Sequence, residues 1–207
     1  MTPQMTIERN ISNRIEPNYS SWQTIELSYQ FAKQMVDEGI AGDVVETGVA
    51  CGNNFAAMCA AGRHGVGFDS FEGIPWAGPE DDQQPGMSEI PKIREGISSG
   101  ITSHSIEDGV KNMERWGIKD YEFVKGWFKD TLPVNTIEKI SVLRLDGDLY
   151  ESTWLALEHL YPKLSKGGIL IIDDWNLSGC RKAFDNYFKK KGPTEITYQF
   201  NVKYLRK

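Results

Sequence analysis

Short apolar runs that alternate with helix-like segments constrain the fold of this chain more than any other feature of its sequence. Five runs resemble buried strands, and they span residues 43–49, 65–70, 121–126, 140–146 and 167–174. Apolar residues at every third or fourth position predict a helix over 21–39, and Ser105 with Asp108 forms the capping-box pattern of another helix start. A helix also fits at 151–164, where "SKGG" would close it. Strands that alternate with helices predict an α/β fold with a mostly parallel sheet.

The whole chain, residues 1–207, fits a single domain, because its length can bury one core. The first 40 residues would form an arm and a helix, with the helix 22–38 packed at the edge of the sheet. The segment 71–103 contains four prolines and no clear periodicity, which is typical of a lid or binding loop. A further helix is expected at 178–190, and the tail 195–207 would add strands to give seven.

Composition excludes several classes of partner. The formal net charge is −6 and no Lys/Arg block is long enough for a nucleic-acid arm, so no nucleic-acid partner is expected. No apolar run approaches the ~18 residues of a membrane span, and the polar N-terminus does not resemble a signal peptide. Cys51, Cys59 and Cys180 form no CxxC pair, which predicts reduced thiols in a cytoplasmic protein.

Acidic residues stand where the predicted strands end. They are Glu46, Asp69, Asp146, Asp173 and Asp174. In α/β sheets, ligands bind outside the carboxyl ends of the strands, so these five side chains are expected on one rim of the sheet, around a ligand.

The first strand leads into a turn that suits a cofactor. "VETGVACGNN" at 45–54 contains Gly48 and Gly52 but not the GxGxxG pattern of dinucleotide sites. Asp69 follows about 20 residues later, where a carboxylate can accept hydrogen bonds from ribose hydroxyls. An acid, a glycine turn and a second acid favour S-adenosylmethionine. The alternative is a turn needed for packing, with Asp69 as a helix cap.

The later acids suggest a metal site. Asp146 and the pair Asp173–Asp174 could give three carboxylates to one Mg²⁺ ion. Alternatively, Asp148 and Asp174 cap helices and the other acids are solvated; Asp148 would cap the 151–164 helix.

The three histidines do not form a zinc motif. His64, His104 and His159 are scattered along the chain. His159 is expected to be structural, whereas His104 opens a helix beside the expected cofactor pocket and could contact substrate.

Several stretches resemble the macrocin O-methyltransferase (TylF-type) family. They lie between about residues 40 and 190, and the block "LRLDGDLYESTWLALEHLYPKLSKGGILIIDDW" at 143–175 is the most specific. The others are "GDVVETGVACGNN", "FDSFEGIP", "VKGWFKDTLP" and "CRKAFDNY". The resemblance implies a single-domain, Rossmann-like class I methyltransferase fold. It also implies the use of S-adenosylmethionine and Mg²⁺ to methylate sugar hydroxyls of natural products.

The resemblance assigns expected roles to nine positions. Metal binding falls to Asp146, Asp173 and Asp174. Cofactor binding falls to Glu46, Thr47, Gly48, Asp69, Ser70 and Trp127, whose ring could stack on adenine.

The expected activity leaves alternatives open. Asp146 is the expected proton acceptor, and 76–103 would close over the site. A catechol or phenol acceptor could use the same acids, but 76–100 is polar, which favours a sugar. A non-catalytic cofactor-binding module and a nicotinamide dehydrogenase are weaker alternatives.

Trp22 and Tyr29 on the first helix predict a homodimer or larger assembly.

Overall fold

The computed structural model of the chain describes residues 20–81, 103–189, 197–199 and 202–207, and its strands form one seven-stranded sheet. Its strands are β1 Asp43–Thr47, β2 Gly65–Asp69, β3 Tyr121–Lys125, β4 Ile140–Leu145, β5 Leu164–Ile172, β6 Thr197–Gln199 and β7 Val202–Arg206. Their order is β3-β2-β1-β4-β5-β7-β6. β1 to β5 are parallel, and β7 is antiparallel to both β5 and β6. The predicted α/β fold with a mostly parallel sheet is confirmed.

Helices flank these strands. They are α1 Trp22–Asp37, α2 Asn53–Cys59, α3 Ile106–Trp116, α4 Phe128–Thr131, α5 Tyr150–His159 and α6 Ser178–Lys189. Of these, α1, α3, α5 and α6 lie close to the helices that the sequence analysis predicts. α3 begins with the predicted capping box and ends at Gly117, whose φ is 71°. The helix predicted over 151–164 ends earlier, because a short 3-10 helix at Tyr161–Lys163 contains Pro162 and leads directly into β5.

The helix α1 covers a face of the sheet. Ile25 and Phe31 belong to the same buried cluster as Val142 of β4 and Ile169 of β5. The Phe31 ring also lies 4.6 Å, between centroids, from the ring of Tyr204 on β7. The prediction that this helix packs at the sheet edge is therefore wrong, because its apolar side is broad enough to cover neighbouring strands.

The opposite face of the sheet is covered by α5 and α6. Leu143 of β4 and Leu170 of β5 share a second buried cluster with Leu157 of α5 and Phe184 of α6. Adjacent residues such as Val142 and Leu143 therefore face different layers, as alternation along a strand requires.

All three cysteines are buried free thiols. Burial raises the pKa of both Cys59 and Cys180. All three thiols are therefore poorly accessible, and those of Cys59 and Cys180 are also poorly ionised, as expected for cysteines without a redox role.

Three predictions reach beyond the described residues. The arm at 1–19 and most of the expected lid, 82–102, lie outside them. The single-domain assignment covers these segments too and stays a prediction. Among the described residues, none of the helices combines the length and apolar character that a membrane crossing requires.

Candidate functional site

The register of the parallel strands brings the acidic residues to one rim of the sheet. Thr47 of β1 pairs with Leu145 of β4, and Leu145 pairs with Ile172 of β5, so the three strands end together. The Asp146 N–H donates to the Thr47 carbonyl (2.9 Å), and the Asp173 N–H donates to the Leu145 carbonyl (2.9 Å). The backbone thus extends the ladder by one residue and places both carboxylates side by side.

Three of these carboxylates converge on one point. Asp146, Asp173 and Asp174 each offer an oxygen, and these oxygens lie within 4.8 Å of one another. Hard divalent cations prefer such oxygen donors, so the donor set fits Mg²⁺.

A buried arginine, which is not among the residues predicted for the site, neutralises part of this charge. Arg144 is fully buried in β4. Its Nε donates to Glu46 Oε1 (2.8 Å), while its Nη2 donates to Asp146 Oδ2 (2.8 Å) and Asp173 Oδ1 (2.9 Å). A charged residue inside the apolar run "SVLRLD" is the signal that could have revealed it.

The remaining negative charge affects the pKa of several acids. Burial, followed by repulsion from Asp173, raises the pKa of Asp146 well above its ordinary value. Burial and the neighbouring Asp148 do the same for Asp174. Burial also raises the pKa of Glu46 to about 8, although Arg144 opposes the shift. A bound dication would favour the charged forms of these groups.

Asp148 does not cap the following helix, contrary to the prediction. Leu149 is the N-cap residue of α5, without a side-chain cap among the described residues, and the Tyr150 N–H donates to Asp81 Oδ1 (2.9 Å). Asp148 instead has a positive φ of 62°, and its N–H donates to Asp174 Oδ2 (2.8 Å). Asp148 thereby orients one of the converging carboxylates, and burial raises the pKa of Asp148 to about 8.

The glycine turn after β1 contacts the end of β4, beside the three converging aspartates. Gly48 has a φ of 90°, and a Cβ at this position would lie 1.8 Å from the Asp146 carbonyl oxygen. Only glycine allows this approach, so the turn and the end of β4 share one packed position. Gly52 precedes α2 and has a φ of 81°.

Asp69 organises the same turn through its carboxylate. Its Oδ2 accepts from the Ala50 N–H (2.8 Å), and its Oδ1 accepts from the Phe71 N–H (2.7 Å). Both partners have positive φ, 48° and 54°, so the carboxylate stabilises two strained positions. The next residue, Ser70, accepts from the Glu72 N–H (3.1 Å). Asp69 caps none of the described helices.

A cavity of about 610 Å³ joins the turn to the acid cluster. The cavity is lined by eight of the nine residues predicted for the site: Glu46, Gly48, Asp69, Ser70, Trp127, Asp146, Asp173 and Asp174. Asp148 lines the cavity too. Thr47 is buried in β1 and His104 is buried before α3; neither is among the described residues that line the cavity. A cavity of this size accommodates a cofactor and part of a small molecule.

Comparisons with known proteins identify related sequences and a related structure. The enzyme 8-demethyl-8-(2,3-dimethoxy-alpha-L-rhamnosyl)-tetracenomycin-C 4'-O-methyltransferase from Streptomyces olivaceus is 41% identical to this chain over 167 residues. These residues make up 75% of this chain and 61% of that protein. Demethyldecarbamoylnovobiocin O-methyltransferase from Streptomyces niveus is 38% identical over 171 residues, 78% of this chain and 63% of that protein. The chain thus spans about three fifths of the length of these curated relatives.

A solved structure and a family model extend the match. The structure of the O-methyltransferase NovP superimposes with a TM-score of 0.77 at 32% identity, and the match covers 97% of this chain and 87% of that one. The fold is thus the α/β fold of class I methyltransferases. The family model described as macrocin O-methyltransferase (TylF) matches residues 25–202. The chain belongs to the macrocin O-methyltransferase (TylF) family.

Proposed function

We propose that the chain is an S-adenosylmethionine- and Mg²⁺-dependent O-methyltransferase that acts on a hydroxyl of a sugar or glycosylated small molecule. The observation that carries this proposal is one cavity containing both the glycine turn at Gly48 and the three converging aspartates. Family membership supports the reaction type, and the rhamnoside in the name of the Streptomyces olivaceus relative supports the acceptor class.

The residues around the turn would hold the cofactor. Gly48 lets a ligand approach the backbone closely. Glu46 presents a carboxylate to the cavity for the cofactor's amino group, and Asp69 and Ser70 line the part expected to receive the ribose. Trp127 also lines the cavity, and its ring would stack on adenine. Thr47 would contribute only through its backbone.

The three aspartates at the ends of β4 and β5 would hold the ion. When bound, Mg²⁺ supplies charge stabilisation to the acceptor oxygen as its negative charge develops. The chain itself orients the ligands: Arg144 holds Asp146 and Asp173, and the Asp148 N–H holds Asp174.

The proton of the acceptor hydroxyl needs a carboxylate in the cavity. Asp146 is the acceptor predicted from the sequence, but it belongs to the metal set and already accepts a hydrogen bond from Arg144. Asp148 is a second candidate, because its side chain lines the cavity and it does not belong to the three-aspartate metal set. Asp148→Asn would separate the two: retained Mg²⁺ binding with lost turnover assigns the proton to Asp148.

Methyl transfer from radiolabelled S-adenosylmethionine tests the proposal. The acceptors would be rhamnosylated aromatic compounds, their aglycones and a simple catechol, each with Mg²⁺ and with EDTA. We expect label only on the glycosides, its loss in EDTA, and its return with Mg²⁺.

Other outcomes point to the alternatives. Label on the catechol alone would favour the phenol-type enzyme. Full activity in EDTA would reject the metal site. S-adenosylhomocysteine binding without transfer to any acceptor would favour a non-catalytic module.

A further inference from the structure

Arg144 joins the ends of three neighbouring strands. Its guanidinium is fully buried and hydrogen-bonds to Glu46 on β1, Asp146 after β4 and Asp173 after β5, all at 2.8–2.9 Å. Glu46 stands on the cofactor side of the cavity, whereas the two aspartates stand on the metal side. One side chain therefore contacts both halves of the proposed site.

The planar, forked guanidinium of Arg144 suits contact with three carboxylates better than a lysine ammonium would. Nε and Nη2 point to different carboxylates, and the rigid planar group fixes the angle between them. A lysine ammonium is a single point charge on a flexible stem, so it would hold one carboxylate well and release the others.

Glu46 has an unsatisfied oxygen. Its Oε1 is taken by Arg144, while its buried Oε2 accepts no hydrogen bond from any described residue. A buried carboxylate oxygen without a donor is costly, which favours a ligand that brings one. The α-ammonium of S-adenosylmethionine is such a donor.

We propose that Arg144 is a positioning residue that couples the two halves of the site. It orients Asp146 and Asp173 for Mg²⁺, and it holds Glu46 so that its second oxygen receives the cofactor's amino group. The proposal rests on the proposed function, since it needs both ligands. Its distinctive consequence is that one substitution in β4 weakens the binding of two different ligands.

Two binding measurements that require no turnover test this. S-adenosylhomocysteine binding is followed by calorimetry, and Mn²⁺ binding, with Mg²⁺ as competitor, is followed by electron paramagnetic resonance. In Arg144→Lys, both dissociation constants should rise at least about tenfold, the lower end of the loss expected when a group that orients metal ligands is changed. Circular dichroism and urea unfolding verify that the variant is folded.

Arg63→Lys is the matched control. Arg63 is partly buried and donates to the Met35 and Ile40 carbonyls, and it does not line the cavity. Both dissociation constants should stay within about twofold of wild type, well below the tenfold loss expected for a ligand-orienting group.

Glu46→Gln keeps the test decisive if Arg144→Lys does not fold. The amide oxygen can still accept from Arg144, so the metal side stays in place, and only S-adenosylhomocysteine should bind about tenfold more weakly, as for a lost charge-assisted hydrogen bond. An unchanged affinity would overturn the cofactor half of the proposal. Wild-type affinities in a folded Arg144→Lys would overturn the whole. A wild-type protein that binds no Mn²⁺ would instead reject the proposed metal site.

Discussion

At the scale of single residues, the site balances three partly buried carboxylates against one buried guanidinium. Asp146, Asp173 and Asp174 face one another across a few ångströms, and one buried guanidinium offsets part of their repulsion. Burial, together with the repulsion that remains, raises the pKa of Asp146 and of Asp174. A dication would remove that excess, so the same imbalance that destabilises the ligand-free rim favours metal binding.

Replacing any one of these three aspartates by asparagine should abolish turnover while cofactor binding persists. Loss of charge stabilisation at the acceptor oxygen is worth several kcal/mol, or at least ~10³-fold in rate. Turnover of radiolabelled cofactor and calorimetry with S-adenosylhomocysteine measure the two effects. A variant that turns over normally would show that its carboxylate is not a ligand.

Asp69→Ala should weaken S-adenosylhomocysteine binding by ~1.5–3 kcal/mol, the range for a hydrogen bond to a charged group. The substitution should also lower the free energy of unfolding, because the Ala50 and Phe71 N–H groups lose their acceptor. Calorimetry and urea unfolding separate the two. Reduced stability with unchanged affinity would show that Asp69 serves the turn alone.

Glu46 should make stability depend on pH. Its pKa of about 8 in the folded protein exceeds its ordinary value of 4.5, so folding favours the protonated form. The associated stability is complete below pH 4.5 and is lost as the pH rises through about 8. Relative to wild type, Glu46→Gln should therefore gain stability across this window, by at most about 1.4 kcal/mol per pH unit. Urea unfolding of both proteins between pH 5 and 8, with EDTA and without cofactor, measures this gain. A difference in unfolding free energy that does not change with pH would contradict the prediction.

Arg144 shows why part of the site escapes a sequence reading. The acidic residues of the site can be predicted because each follows an apolar run. The five predicted ones lie on the rim. Arg144 lies inside such a run, where no periodic pattern marks its side chain. Its role depends on Glu46, 98 residues away in sequence, and only the strand register brings the two together.

At the scale of elements, local sequence patterns predicted which strands and helices form better than they predicted what those elements contact. The strands end within two residues of the predicted positions, because acids and glycines interrupt the apolar runs. Asp148 looked like a helix cap because aspartate commonly precedes helices, but its backbone adopts a positive φ and the N-cap of helix α5 is the next residue, Leu149. Whether α1 lies on an edge or a face depends on contacts with strands more than 100 residues away, which its own periodicity does not encode.

The capping box of α3 offers a measurement at this scale. Ser105 accepts from the Asp108 N–H (3.2 Å), and the Ser105 N–H donates to Asp108 Oδ2 (3.4 Å). Ser105→Ala should cost about 1 kcal/mol of unfolding free energy, as for other N-caps. Ser103→Ala, at an exposed position two residues earlier, should change it by less than about 0.5 kcal/mol. Equal effects in urea unfolding would show that the cap contributes nothing.

At the scale of the whole molecule, the predicted homodimer remains to be tested. Trp22 is 50% exposed at the start of α1, which is unusual for so large an apolar ring. Light scattering at micromolar concentration should give at least twice the 23.4 kDa chain mass. Trp22→Ser should shift the protein toward monomer, whereas Val134→Ser, at another exposed apolar position, should not. A monomeric wild type would contradict the prediction.

The burial of all three thiols has a practical consequence for spectroscopy. Cys59 and Cys180 are shielded and poorly ionised, and Cys51, 4% exposed, lies on the cavity wall. A new cysteine at position 134, where the native valine is 74% exposed, would therefore take a maleimide dye far faster than any native thiol. Fluorescent labelling would not require a cysteine-free background. The residual, slow alkylation of Cys51 would itself report occupancy, since a cofactor bound as proposed would cover that wall.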